Sequence, residues 1–160
     1  MNYFRLSVLL LSLSYSSIAL AIPNVWSSEF GQGWWIYEIS NKKITLGISC
    51  NDSTGYNWDH SLSLQNSKKV DLFTKPNHIL SFLINNKAFE FETNKSGKVD
   101  TKFRNAANYW RDFIRTIHKA RKIEVYYDDE KIIDYQPRNI DLEELQFMPE
   151  ACSPLFDKEF

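Results

Sequence analysis

The chain has almost no excess charge. Nineteen Lys and Arg stand against 20 Asp and Glu, a formal net charge of −1. A near-neutral protein has no bulk electrostatic drive toward nucleic acid or an anionic membrane, so neither is expected as a partner. Cysteine is scarce too: Cys50 and Cys152 are the two in 160 residues. Neither belongs to a C-x-x-C pair or has a His nearby, which excludes the usual zinc patterns, and no metal is expected. The G-x-S-x-G elbow of Ser hydrolases is missing, and so is the D-x-D-x-D-G calcium loop. Gly31 and Gly33 do not link a strand to a helix and are not a phosphate loop. No apolar run after the first 21 residues is long enough to span a bilayer. There is no internal repeat and no linker. With no catalytic pair and no cofactor motif, the chain reads as a non-enzyme without a cofactor.

What is present begins with a secretory pattern. Arg5 is the one charge in Met1 to Arg5. An apolar run from Leu6 to Leu13 follows, broken by Ser7 and Ser12, and small residues lead to Ala19-Leu20-Ala21. A positive start, a short apolar core and an A-x-A end predict a cleavable signal peptide over residues 1–21. That core is about half the ~20 residues of a membrane anchor, and Ser14, Ser16 and Ser17 dilute it further. No Cys lies near the predicted cleavage site, so no lipid or membrane anchor is expected after cleavage. The expected location is the periplasm or the cell exterior.

Removing residues 1–21 leaves 139 of the 160, which suits one domain over 22–160. The removed part holds one base and no acid, so the remainder carries 18 bases against 20 acids, a net −2. In an oxidising compartment Cys50 and Cys152 are expected to pair. The bond would close a loop of about 100 residues and contribute roughly 4–5 kcal/mol of chain entropy. Aromatics at 15% and hydrophobics at 43% suffice for a packed core.

Two-residue periodicity dominates the mature chain. Trp35, Tyr37 and Ile39 alternate, Asn41-Lys42-Lys43 turns, and Ile44, Leu46, Ile48 and Cys50 alternate back. His60, Leu62 and Leu64 form another strand, followed by a short one around Val70 to Phe73 that ends at Pro76 and Asn77. Leu80, Phe82 and Ile84 turn through Asn85-Asn86-Lys87 into Phe89 and Phe91. Thr93 to Gly97 reads as a polar loop. Phe103, Ala106, Ala107, Trp110, Phe113, Ile114 and Ile117 then recur at steps of three and four, predicting a helix. Asp100 or Thr101 is placed to cap it. Ile123, Val125 and Tyr127 turn at Asp128 to Lys131 into Ile132 to Tyr135. A last helical turn is expected near Leu142 and Leu145. The fold class is α+β and β-rich. An antiparallel sheet, small sandwich or barrel of about six to eight strands is expected to pack on one amphipathic helix over about 101–120.

Three features are candidates for function. Four of the five Trp lie in the first third of the mature chain, among them Trp34, Trp35 and Trp58. Adjacent Trp34 and Trp35 point to opposite faces of a strand, so one needs a cover or a ligand. The favoured account makes Trp26 to Trp35 a loop folded over the sheet to hide both rings. Exposed rings would suit a sugar or a protein anchor. Second, Trp58-Asp59-His60 joins an aromatic, a carboxylate and an imidazole. Neighbours on a strand diverge, so a structural His60 is expected before a catalytic relay. Third, Arg104, Arg111, Arg115 and Lys122 share a helix side. The stripe is either a solvated flank or a site for an acidic partner. The acidic turn Asp128-Asp129-Glu130 and the triplets Asn51-Asp52-Ser53 and Asn94-Lys95-Ser96 read as loop features, and His78 as a surface loop residue. The leading expectation is an exported module that binds another protein, as an inhibitor, immunity factor or accessory subunit. A cell-wall or glycan binder using exposed Trp comes second, and a small hydrolase third.

Overall fold

A computed structural model describes residues 22–51, 60–68 and 70–158. Among these residues, nine strands form two antiparallel sheets. The first holds β1 (Trp26–Gly31), β2 (Trp34–Ser40), β3 (Ile44–Asn51), β4 (His60–Asn66) and β7 (Lys98–Val99), in the order β1-β2-β3-β4-β7. The second holds β5 (Asn77–Ile84), β6 (Lys87–Asn94), β8 (Ile123–Tyr127) and β9 (Glu130–Tyr135), in the order β6-β5-β8-β9. One main helix, α1 (Arg104–Ile117), packs on them. The sheets do not close into a barrel, so the expected class holds as a small α+β sandwich.

Turn chemistry sets the hairpins. Gln32-Gly33, Asn85-Asn86 and Asp128-Asp129 each hold two consecutive residues at positive φ. Two-residue turns of this kind match the twist of the flanking strands, and Asn, Asp and Gly tolerate them best. Gly97 also has a positive φ of 68° and lies against β4, whose Leu62 N–H donates to its carbonyl at 2.9 Å. Through this turn the chain leaves the second sheet at β6 and enters the first at β7.

The alternation seen in sequence becomes two inner faces. Tyr37, Ile39, Leu46, Ile48, Leu62 and Leu64 are buried on the first sheet, and Leu80, Phe82, Phe89, Ile123 and Val125 on the second. The buried stripe of α1 is Ala107, Trp110, Phe113, Ile114 and Ile117. Phe113 sits among Phe82, Phe89 and Phe91, with ring centroids 4.9, 5.4 and 4.8 Å away. Trp110 reaches the other sheet and stacks on His60 at 5.1 Å. One helix therefore seals the core against both sheets.

The C-terminal segment is more ordered than one predicted turn. It forms α2 (Glu143–Gln146), α3 (Met148–Ala151) and a 3₁₀ turn at Leu155–Asp157. The disulfide Cys50–Cys152, with Cα atoms 4.8 Å apart, fixes it over the end of β3. The Trp110 Nε1–H donates to the Cys152 carbonyl at 2.8 Å. Leu155 N–H donates to Thr101 Oγ1 at 3.1 Å.

Several sequence expectations are corrected here. Thr101 does not cap α1, because its hydroxyl is taken by the C-terminal segment. Asp100 accepts from Lys102 N–H instead, and α1 starts at Arg104 after Phe103 without a side-chain cap. Trp26 to Gly31 is an edge strand, not a loop over the sheet. The stretch 70–73 makes one bridge, Gln65 to Asp71, not a strand. His78 and Thr93 are buried on facing strands and share a 2.6 Å hydrogen bond, so neither is a loop residue. The alternation of Leu80, Phe82 and Ile84 extends back to His78, and Pro76 stops the strand only before that point. The predicted signal peptide, Trp58, Asp59 and residues 52–53 of the first glycosylation triplet lie outside the described residues.

Candidate interaction groove

Trp35 lies on the core face of β2, opposite Phe30 of β1 and Cys50 of β3. Directly paired residues of antiparallel strands share a face, so Phe30, Trp35 and Cys50 form a row across the sheet. The tight turn at Gln32-Gly33 fixes that register. The disulfide anchors α3 over the Cys50 end of the row. The other end is left open.

The opening is an apolar groove of about 410 Å³ lined by Trp35, Phe147, Glu150 and Ala151. Trp35 stacks on Tyr37 at 6.2 Å and packs against Phe30 at 5.0 Å, which leaves it half-buried. Phe30 and Phe147 are 57% and 53% exposed. Two large rings this far in water, beside a partly covered indole, form a cluster of exposed apolar groups and not a single exposed residue. Glu150 puts a carboxylate at the groove wall. Glu29 on β1, Glu143 and Glu144 on α2, and Glu150 on α3 are all exposed and make no ion pair among the described residues.

Trp34 faces the other side of the sheet, opposite Asn51, and is half-buried. The first-third aromatics therefore divide: Trp26 joins the core, Trp35 opens to the groove, and Trp34 takes the outer face.

The Arg stripe packs in part on the chain itself. Arg111 makes a bidentate ion pair with Asp157 at 2.8 and 2.6 Å. Arg104 lies over the Phe156 ring at 5.7 Å. Both arginines face the chain's own C-terminal segment, Arg111 at the Asp157 carboxylate and Arg104 at the Phe156 ring. Lys122 pairs with Glu124 at 2.5 Å, and Arg115 is exposed without an ion pair among the described residues. Sequence spacing showed the shared side but not Asp157, which is 46 positions away.

His60 has both ring nitrogens engaged by backbone. Asn51 N–H donates to Nδ1 at 3.1 Å, so the proton sits on Nε2, which lies 2.9 Å from the Ser153 carbonyl. Burial lowers its pKa to about 4, holding it neutral. Its geometry is that of a strut between β3, β4 and the C-terminal segment. Burial also lowers the pKa values of His78 and His118. No group of three or more His, Cys, Asp or Glu placed to hold a metal occurs among the described residues. No described helix is long and apolar enough to cross a membrane.

These features define a disulfide-linked, two-sheet α+β sandwich with an open aromatic groove. The chain belongs to the YfjT family, whose model matches residues 24–142. It is similar to the uncharacterized protein YfjT of Escherichia coli (strain K12), 27% identical over 135 residues that cover 81% of this chain and 83% of that protein. It is also similar to the uncharacterized protein YkfB of the same organism, 29% identical over 119 residues that cover 71% and 72%. No solved structure gives a significant match. Phe147, Glu150 and Cys152 follow the stretch that the family model matches. Sequence reasoning missed Phe147 and Glu150 because the first joins, and the second lies on, helices of four residues each, too short for any period to register.

Proposed function

We propose that this protein is an exported binding module that recognises another protein, as an inhibitor, immunity factor or accessory subunit of the envelope, through the groove at Trp35. The observation that carries this is the placement of Phe30, Trp35 and Phe147 as a half-open aromatic surface on a disulfide-pinned scaffold. Protein interfaces concentrate energy in such rings when a partner excludes water from them. A groove of this size takes one or two apolar side chains of the partner. Export fits the Cys50–Cys152 bond, since disulfides persist in oxidising compartments, and fits the secretory pattern of residues 1–21.

The test compares the wild type with W35A and F147S, isolated from the native envelope fraction. A stoichiometric protein retained by the wild type and lost from both variants, with unchanged circular dichroism, supports the reading. Equal retention by all three overturns it. N-terminal sequencing of the mature protein checks the export step, with Ile22 as the expected first residue.

A second reading, a glycan binder, is favoured by one observation. The half-open Trp35 indole has a carboxylate, Glu150, beside it, and a ring face with an adjacent acceptor suits a sugar. Oligosaccharides that shift tryptophan fluorescence in the wild type and not in W35A would select this reading.

A further inference from the structure

The open edge of β1 runs beside the groove. β1 is the terminal strand of the first sheet, hydrogen-bonded on one side to β2. At its start the outer edge is already occupied. Trp26 N–H donates to Asn139 Oδ1 at 2.7 Å, and Asn139 Nδ2 donates back to the Trp26 carbonyl at 2.9 Å. One side-chain amide thus imitates the peptide group of a neighbouring strand. It also shows that the Trp26 backbone groups point away from β2. In a strand this direction alternates by residue, so the N–H and C=O groups of Ser28 and Phe30 point outward as well. No hydrogen bond to them is found among the described residues. The imitation covers Trp26 and stops there.

We infer that the edge of β1 at Ser28 and Phe30 takes an extended segment of a partner protein as an added strand, with alternate apolar side chains entering the Trp35 groove and basic side chains between them. This inference rests on the groove being a protein-binding site and names how the partner is held. Backbone hydrogen bonds supply affinity in strand addition, and pockets for alternate side chains supply specificity. Phe30 and Trp35 lie on the groove face, so every second residue of the added strand meets them. The intervening residues fall on the other face beside Glu29, within reach of a cross-strand partner. Glu29 on that face is exposed and makes no ion pair among the described residues. That charge selects Lys or Arg in the incoming strand. It also disfavours a second copy of this chain, because pairing β1 with its own mate would bring like charges together.

The probe is a short capped peptide alternating Lys with Ile, titrated calorimetrically into the oxidised full chain. The Lys peptide should saturate the protein and its Glu counterpart should not. Backbone N-methylation of the Lys residues and of the Ile residues gives two further peptides. One set removes N–H groups facing β1, and the other set removes groups facing solvent. Strand addition predicts that one pattern weakens binding by about tenfold or more and the other leaves it unchanged, since each tenfold is ~1.4 kcal/mol, near one hydrogen bond. S28P removes one outward N–H without touching the β2 pairing and should also cost roughly tenfold. The phase experiment uses unmodified protein, so it stands even if S28P fails to fold. Absence of saturation, or equal effects of the two methylation patterns, overturns strand addition. If W35A weakens the peptide while S28P and both patterns do not, the groove reading survives and strand addition falls. If the patterns differ but W35A and F147S bind normally, strand addition stands and the groove reading falls. Self-association of the wild type abolished by S28P would make a second copy the occupant and overturn the basic-strand assignment.

Discussion

The imidazole of His60 lies flat on the indole of Trp110, ring centroids 5.1 Å apart and planes within 6°. The stack joins β4 to α1, and both rings also reach the C-terminal segment, His60 at the Ser153 carbonyl and Trp110 at the Cys152 carbonyl. Three parts of the fold meet at two side chains, and one of the two titrates.

Acid should therefore loosen the protein. The His60 pKa is lowered from an ordinary 6.5 to about 4, chiefly by burial. Below pH 6.5 the unfolded chain protonates this ring while the folded chain resists. Stability from His60 is complete above about pH 6.5, declines as pH falls, and is fully lost below about pH 4. The loss amounts to roughly 3 kcal/mol. The lowered pKa values of His78 and His118 act in the same direction. Urea midpoints from pH 7 to pH 4 should fall steadily, and H60Q should flatten part of that slope. A midpoint independent of pH over this range would contradict the assignment.

The disulfide should carry a large share of the stability. Cys50 and Cys152 are 102 positions apart, and a loop near that length corresponds to about 4–5 kcal/mol in the chain-entropy model. C152S, or reduction, should lower the denaturation free energy by that order. Hydrogen exchange should report the largest loss of protection in residues 143–158. Thiol titration of denatured, unreduced protein should find no free thiol.

Stability and recognition should separate at two phenylalanines. F113A empties the centre of the Phe82, Phe89 and Phe91 cluster and should cost about 3–5 kcal/mol. F147S alters an exposed ring and should move stability by about 0.5 kcal/mol or less. Paired thermal melts and partner binding should show the first variant failing in the melt and the second only in binding.

The arginine stripe should prove internal where it is paired. R111A and D157N should each destabilise by about 0.5–1 kcal/mol, because the pair is partly exposed. A double-mutant cycle should return a coupling energy of similar size. R115A, which breaks no ion pair among the described residues, should change nothing measurable in the same melts.

Gly97 should tolerate no side chain. Its φ is 68°, and a Cβ there would stand 1.7 Å from the Leu62 carbonyl oxygen. That atom is backbone and cannot swing aside. G97A should cost about 3 kcal/mol or more, read as a shifted urea midpoint.

The sequence by itself determined the main helix, the partner of each cysteine and most of the strands, though not β1 or β7. These follow from local rules. Alternation marks Tyr37, Ile39, Leu46 and Ile48 for a core face, and positive-φ pairs such as Asn85-Asn86 mark turns. Two lone cysteines have one way to pair. Tertiary structure alone decided the groove and the use of the arginines. Phe147 and Glu150 meet Trp35 across more than a hundred positions, Asn139 stands in for a strand beside Trp26 across 113, and Asp157 meets Arg111 across 46. No period connects such residues. They are brought together by a bond at Cys152 and by a core that α1 seals, and packing geometry of that kind is set by the whole chain at once.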